Sequence, residues 1–498
     1  MTRTTALVPF VPPLSGALNT GRRPAARKSA AHRLALVLVL LAVASSGIVF
    51  AEPAPVDVLN LALMIGLPLV GLVAWRRMLF AYLGLWLSIA AAGFLAATMA
   101  DDTTRAISHF AISLYLYVTA FVVAGFVARS PVAHTRLILD GYLVAAALTA
   151  LAGLAGTFDL VPGAADLFTR HGRASGTFKD PNVFGAFLVP ALLYAGHLWL
   201  ERPLRRALPM SLLVGLLATA LLLSFSRGAW VATVVGLATY WALSLLAACT
   251  HRRRLALLGL PVLVALVAGG LVAAALQDEG IARLAGERTA LTQSYDEGAE
   301  GRFGGQWSAL GLIAESPFGV GALEFSPAFH PNGMMVPNRS EGRGFGDDVH
   351  NSYLSMFLNG GWLAGALNIV AVALTLAMGA RHALRRTASR PLFIVAFSAV
   401  AGILAEGTVI DFDHWRHAHL LLALVWGLMA GDPGTVRGPR IVADRRPLLR
   451  RPRLLIPPSR RGARLVNEIV RRPPLTGLPA AHRRIGGPRR RPRIAARA

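Results

Sequence analysis

The sequence predicts an all-α, polytopic membrane protein with about twelve transmembrane helices. Hydrophobic residues make up 54% of the 498-residue chain and charged residues only 15%, with a mean hydropathy of +0.53. A soluble globular domain carries about 25% charged residues. Runs such as LALVLVLLAVASSGIVF and LALLGLPVLVALVAGGLVAAAL are long enough to cross ~30 Å of hydrocarbon as helices. They also lack the period-2 alternation that a transmembrane β-barrel requires.

Residues 1–33 form a basic arm. Apolar spans then follow at 34–50, 56–75, 78–99, 106–127, 137–160, 183–200, 207–223, 229–249, 255–276, 353–378, 392–409 and 414–430. The first ends in IVFAEPA, but its basic leader is too long for a cleavable signal, so it reads as a retained helix. Alternate loops separate by charge. One set holds Arg76-Arg77, Arg129 with Arg136, Arg202 with Arg205-Arg206, HRRRL at His251, and RHALRRTASR at Arg381. The other holds Asp101-Asp102, DLFTRHGRASGTFKDPN, the long segment 277–351, and EGTVIDFDHWRH. The positive-inside rule makes the first set cytoplasmic. Both termini then lie inside, and His350 faces outward.

The segment 277–351, between spans 9 and 10, has too few consecutive apolar residues to span. RFGGQWSALGLIAES within it reads as a helix with Trp307, Leu310 and Ile313 on one stripe, and SPFGVG after it reads as a turn. Residues 431–498 form an Arg- and Pro-rich tail, predicted to lie disordered near anionic lipid headgroups. The net charge of +24 would suggest nucleic acid in a soluble protein, but the tail lacks the aromatics that stack on bases. The lone cysteine, Cys249, excludes a disulfide framework.

The distinctive polar residues fall at the outward ends of spans. Arg227 sits in SFSRGAW, a very short turn between two apolar helices. An arginine next to hydrocarbon is costly unless it is paired or hydrated, and its planar fork suits a phosphate. Arg302 opens the amphipathic stripe. His350, in DDVHNSYLSMF, precedes a helix, and neutral imidazole takes a proton near pH 7. Lys179, one of only two lysines beside Lys28, lies with Asp180 and Asn182 just before the sixth span. It reads equally as a phosphate contact or as part of a capped helix start. Asp347 and Asp348 orient His350 or are solvated. DFDHWRHAH lacks a zinc signature, so Asp413 and Arg416 are expected as polar lining with no metal. His109 and His197 are expected to be satisfied core histidines.

In this order, GTFKDPNVFGAF, SFSRGA, GRFGGQW with PFGVG, and HNSYLSMFLNGGWLAG resemble the O-antigen ligase and polymerase superfamily over roughly 173–430. The resemblance implies a metal-independent, inverting glycan transfer without a cofactor in a bacterial inner membrane, with the active site on the periplasmic face. The implied donor is an undecaprenyl-diphosphate-linked glycan, and the acceptor is a glycan or lipid hydroxyl. Carried over, Arg227 and Arg302 hold the diphosphate and His350 serves the acceptor, with Lys179, Asp180, Asn182, Asn351, Asp413 and Arg416 as supporting contacts. Membrane lipids are expected partners and nucleic acid is not. A repeat-unit polymerase is the alternative within the superfamily. A lipid-linked glycan flippase is the alternative outside it, but it predicts ionisable groups near the bilayer midplane.

The charge alternation predicts that reporters fused after Asp102, Asp296 and Asp411 read as external. Those fused after Arg77, Arg254 and Arg386 should read as cytoplasmic. A cytoplasmic reading at Asp296 would put His350 on the wrong side for the implied chemistry.

Overall fold

The computed structural model describes residues 30–100, 102–202, 208–248, 250–277, 279–288, 302–322, 327–329, 335–337 and 349–432. Most of the basic arm and the tail from 433 onward lie outside the described residues, as do Cys249, Asp347, Asp348 and the Arg302 side chain.

The elements run α1 (Ala30–Ser45), α2 (Pro55–Leu69), α3 (Arg77–Ala97), α4 (Thr103–Arg129), α5 (Pro131–Thr157), α6 (Ala164–Phe168), β1 (Thr169–Arg170) and β2 (Arg173–Ala174). They continue as α7 (Pro181–Glu201), α8 (Leu208–Leu223), α9 (Arg227–Ala247), α10 (His251–Ala275), α11 (Glu279–Arg288) and α12 (Arg302–Glu315). The last are β3 (Pro327–Phe329), β4 (Met335–Pro337), α13 (Ser352–Ala383), α14 (Arg390–Glu406) and α15 (Arg416–Gly431). The strands form two small antiparallel ribbons, β1 with β2 and β3 with β4. His171 and Gly172 both take positive φ between β1 and β2, as a tight hairpin turn requires.

Every predicted span falls on a helix. Six described helices, α3, α4, α5, α7, α9 and α13, are long and apolar enough to cross a membrane. That is fewer than the twelve expected: α1, α2, α8, α14 and α15 hold only 16, 15, 16, 17 and 16 residues, short of the ~20 that a perpendicular helix needs, and α10, with 25 residues, is not among the six.

α7, α14 and α15 are buried on nearly every side. The outer helices expose side chains as apolar as the core: Leu61, Ile65 and Leu69 on α2, Leu208 and Leu212 on α8. Exposed and buried surfaces of equal greasiness fit a lipid solvent, which leaves close packing to hold helices together. α4 and α15 show how. Gly427 and Gly431 lie one turn apart on α15, and a Cβ on either would come within 3 Å of the α4 backbone at Ala124 or Ala128. This contact joins the C-terminal ends of the two helices, opposite the starts that carry Arg105 and Arg416.

The predicted helix in the long segment is α12, but its facing differs from expectation. Ala309, Leu312 and Ile313 pack toward Val349, Leu354 and Leu358, whereas Trp307 is 75% exposed and Leu310 is also exposed. The inward stripe is set by α13, which the local pattern does not register. Beyond α12, the PFGVG turn plugs a break in α13. Gly361 has φ +74 and ψ −177 inside that helix, and the freed groups are taken by the turn. Val320 N donates to Leu358 O at 2.8 Å and Trp362 N to Pro317 O at 2.9 Å. The backbones touch so closely that a Cβ on Gly361 would lie 2.6 Å from Phe318 C, and one on Gly319 would lie 2.6 Å from Leu358 O.

Gly361→Ala therefore combines left-handed strain with backbone collision. It should destabilise by about 2–4 kcal/mol and lower the thermal unfolding midpoint in detergent, while the control Gly196→Ala, with open space around it, should not.

Candidate active site

His350 stands immediately before α13 on a left-handed backbone, φ +51. Such a φ is uncommon for a residue with a Cβ and must be held by its surroundings. Asn351 holds it from one side, since its Oδ1 caps α13 by accepting from Tyr353 N at 3.0 Å and Leu354 N at 3.2 Å. Its Nδ2 donates to Thr408 O at 3.1 Å. Ser352 N donates to Gly407 O, and Ser352 Oγ accepts from Phe412 N at 2.8 Å. Gln306 of α12 donates to His350 O at 3.3 Å. Asn351 and Ser352 are thus stitched to the α14–α15 turn, and His350 to α12.

His350 lines a cavity of about 560 Å³. Of the residues singled out in the sequence, Lys179, Asp180, Asn182, Asp413 and Arg416 share that lining. Asn351 acts as the cap behind it. Arg227 is not among the lining residues. It is the first residue of α9, set by the Ser226 cap on Ala229 N, and is tied to the His350 end through α14. A Cβ on Gly228 would lie 3.0 Å from Glu406 Oε1, and the next residue, Gly407, receives Ser352 N. Glu406 is wholly buried, and neither carboxylate oxygen is hydrogen-bonded among the described residues.

The supporting residues have partners of their own. Asp180 caps α7 through Asn182 N at 2.8 Å, and Asn182 Oδ1 accepts from Arg173 at 2.7 Å. Arg173 also donates to Ser224 O at 2.7 Å, joining the β1–β2 hairpin to the turn that presents Arg227. Arg416 grips Asp57 with two donors, Nε to Oδ1 at 2.7 Å and Nη2 to Oδ2 at 2.8 Å, while Nη1 reaches Glu52 at 3.4 Å. Lys179 pairs with Glu52 at 3.2 Å. These contacts fix the α1–α2 loop against the start of α15. Burial pushes the Glu52 carboxyl up, but Lys179 and Arg416 outweigh it and hold the group below its ordinary value of 4.5.

His197 is the core histidine expected, its Nδ1 3.0 Å from the Tyr240 hydroxyl. His109 is not simply core. It lines the cavity with its ring 4.3 Å from that of His414, and His414 Nε2 lies 3.0 Å from Ser113 Oγ. Arg105, one turn before His109, and Ser108, its immediate neighbour, also line the cavity. Sequence reasoning missed this wall, although R105-x-x-S108-H109 is a polar stripe of helical period at the start of an apolar run. Among the described residues, no group of three or more His, Cys, Asp or Glu is placed to hold a metal.

The segment carrying Arg227, α12 and His350 now has a counterpart among known families. Residues 212–369 match the family model for O-antigen ligase. No curated protein matches the chain. The match supports the O-antigen ligase superfamily and an enzyme of the glycan-transferring kind, and with the apolar helices it marks a bacterial integral membrane protein. The O-antigen ligase segment is narrower than the 173–430 over which the motifs resemble the superfamily. Of the cavity lining it supplies Val349, His350, Ser355 and Asn359, and the remaining wall comes from α1–α2, α4, α7 and the approach to α15.

The Glu52 pairs give a pH signature. Because the folded-state pKa is lowered, the stability they contribute is present above about pH 4.5 and is lost as pH falls through the lower folded value. The unfolding midpoint of the wild type should exceed that of Glu52→Gln at pH 6, and the gap should narrow progressively as pH falls below about 4.5. A gap unchanged across that range would show that Glu52 is not paired as seen here.

Proposed function

We propose that this protein transfers a glycan from an undecaprenyl-diphosphate carrier to an acceptor hydroxyl on the external face of the inner membrane, as an O-antigen ligase. The reading is carried by His350, held on a strained backbone at a cavity large enough for sugars, inside the matched segment. A neutral imidazole there takes the proton of the acceptor hydroxyl as its oxygen attacks the anomeric carbon. The diphosphate leaves with the electron pair of the broken glycosidic bond. Arg227 and Arg302, proposed to bind it, supply the positive charge that the developing oxyanions need, so the reaction requires no metal. In this scheme Lys179, Asp413 and Arg416 shape the acceptor side, and Arg416 does so as a wall fixed by Asp57.

His350→Ala should lower turnover by about 10²–10⁴-fold while leaving donor binding nearly intact. Arg227→Ala should weaken donor binding, and Arg227→Lys should restore it only in part, because lysine lacks the bidentate fork. Chelators should have no effect. Normal turnover by His350→Ala in purified protein would refute the base assignment. In a deletion strain, long glycan chains should accumulate unlinked to their acceptor, whereas a polymerase would leave single repeat units.

A further inference from the structure

We propose that Arg105 is a binding residue for an acidic group, a phosphate or carboxylate, on the acceptor glycan. The inference rests on the transfer reaction proposed above and names the chemical class of its acceptor. Among the described residues, three arginine or lysine side chains line the cavity: Arg105, Lys179 and Arg416. Two of them are already neutralised, Lys179 by Glu52 and Arg416 by Asp57 and Glu52. The Arg105 guanidinium makes no ion pair or hydrogen bond among the described residues, and only its backbone N is engaged, by Asp102 Oδ1 at 3.0 Å.

Its position argues against a role in folding. Arg105 lies in the first turn of α4, where the helix dipole disfavours a cation. A snorkelling arginine would rest against lipid. Arg105 is instead half-buried and lies above Ser108 and His109 on the face that lines the cavity. The chain therefore places a planar cation with no direct partner among the described residues in the same cavity as His350, where Asp180, Asp411 and Asp413 also line the wall but make no ion pair with it. Guanidinium pairs with phosphate or carboxylate through two parallel hydrogen bonds. Because His350 takes the acceptor proton and Arg227 is absent from this lining, the group that Arg105 meets belongs to the acceptor. The diphosphate of the donor is the competing source of the same chemistry.

Two measurements on the full-length protein in detergent test this. In the first, wild type, Arg105→Gln and Arg105→Lys are titrated with glucose 6-phosphate and with glucose. Wild type should bind the phosphate form about tenfold tighter or more, Arg105→Gln should lose that preference, and Arg105→Lys should keep part of it. No preference in wild type, or a full preference in Arg105→Gln, overturns the proposal. In the second, transfer is assayed with each substrate varied. Arg105→Gln should raise the acceptor KM about tenfold or more with kcat and donor KM unchanged. A rise in donor KM alone assigns the oxyanion to the diphosphate and overturns the acceptor reading. If wild type shows the charge preference but no transfer, the proposed reaction fails while the oxyanion site stands.

Discussion

The site depends on one partly buried ion pair. Arg416 and Asp57 lie 359 residues apart in sequence, and both would be costly near hydrocarbon if left alone. Paired edge to edge, they satisfy each other, and Glu52 extends the pair to Lys179. Breaking such a pair is far worse than never having had it, because the survivor keeps its desolvation cost. The α1–α2 loop, the start of α7 and the start of α15 are thereby held in one arrangement, and the cavity is the space they leave.

What was legible in the sequence follows from what a one-dimensional pattern can encode. Apolar runs of membrane length mark helices because the backbone must satisfy itself in oil, so each predicted span fell on a helix. The α12 helix and the PFGVG turn were legible for local reasons, periodicity and glycine. Facing was not. Trp307 and Leu310 looked like an inward stripe, yet α13 selected Ala309 and Leu312 instead. His109 read as core because a single histidine in an apolar run carries no sign of the His414 ring that meets it from the other end of the chain. Arg105 was passed over for the same reason. The partners of Arg416 were likewise invisible, since Asp57 belongs to an apolar span with no motif around it.

The division between matched and unmatched sequence has a chemical counterpart. The O-antigen ligase segment contributes Arg227, the α12 helix, His350 and the α13 start, which are the parts proposed to carry out bond exchange. The surrounding wall of Glu52, Arg105, His109, Lys179 and Arg416 lies outside it.

The break in α13 also sets an order of events during biosynthesis. Residues 317–320 leave the ribosome before any part of α13, and two backbone bonds of that helix, at Leu358 and Trp362, close only on them. α13 cannot settle into its final shape until the preceding loop has been delivered to the same end of the bundle. The break is therefore filled only once that segment has packed against it, and a segment that failed to arrive would leave Leu358 O and Trp362 N of α13 without these partners.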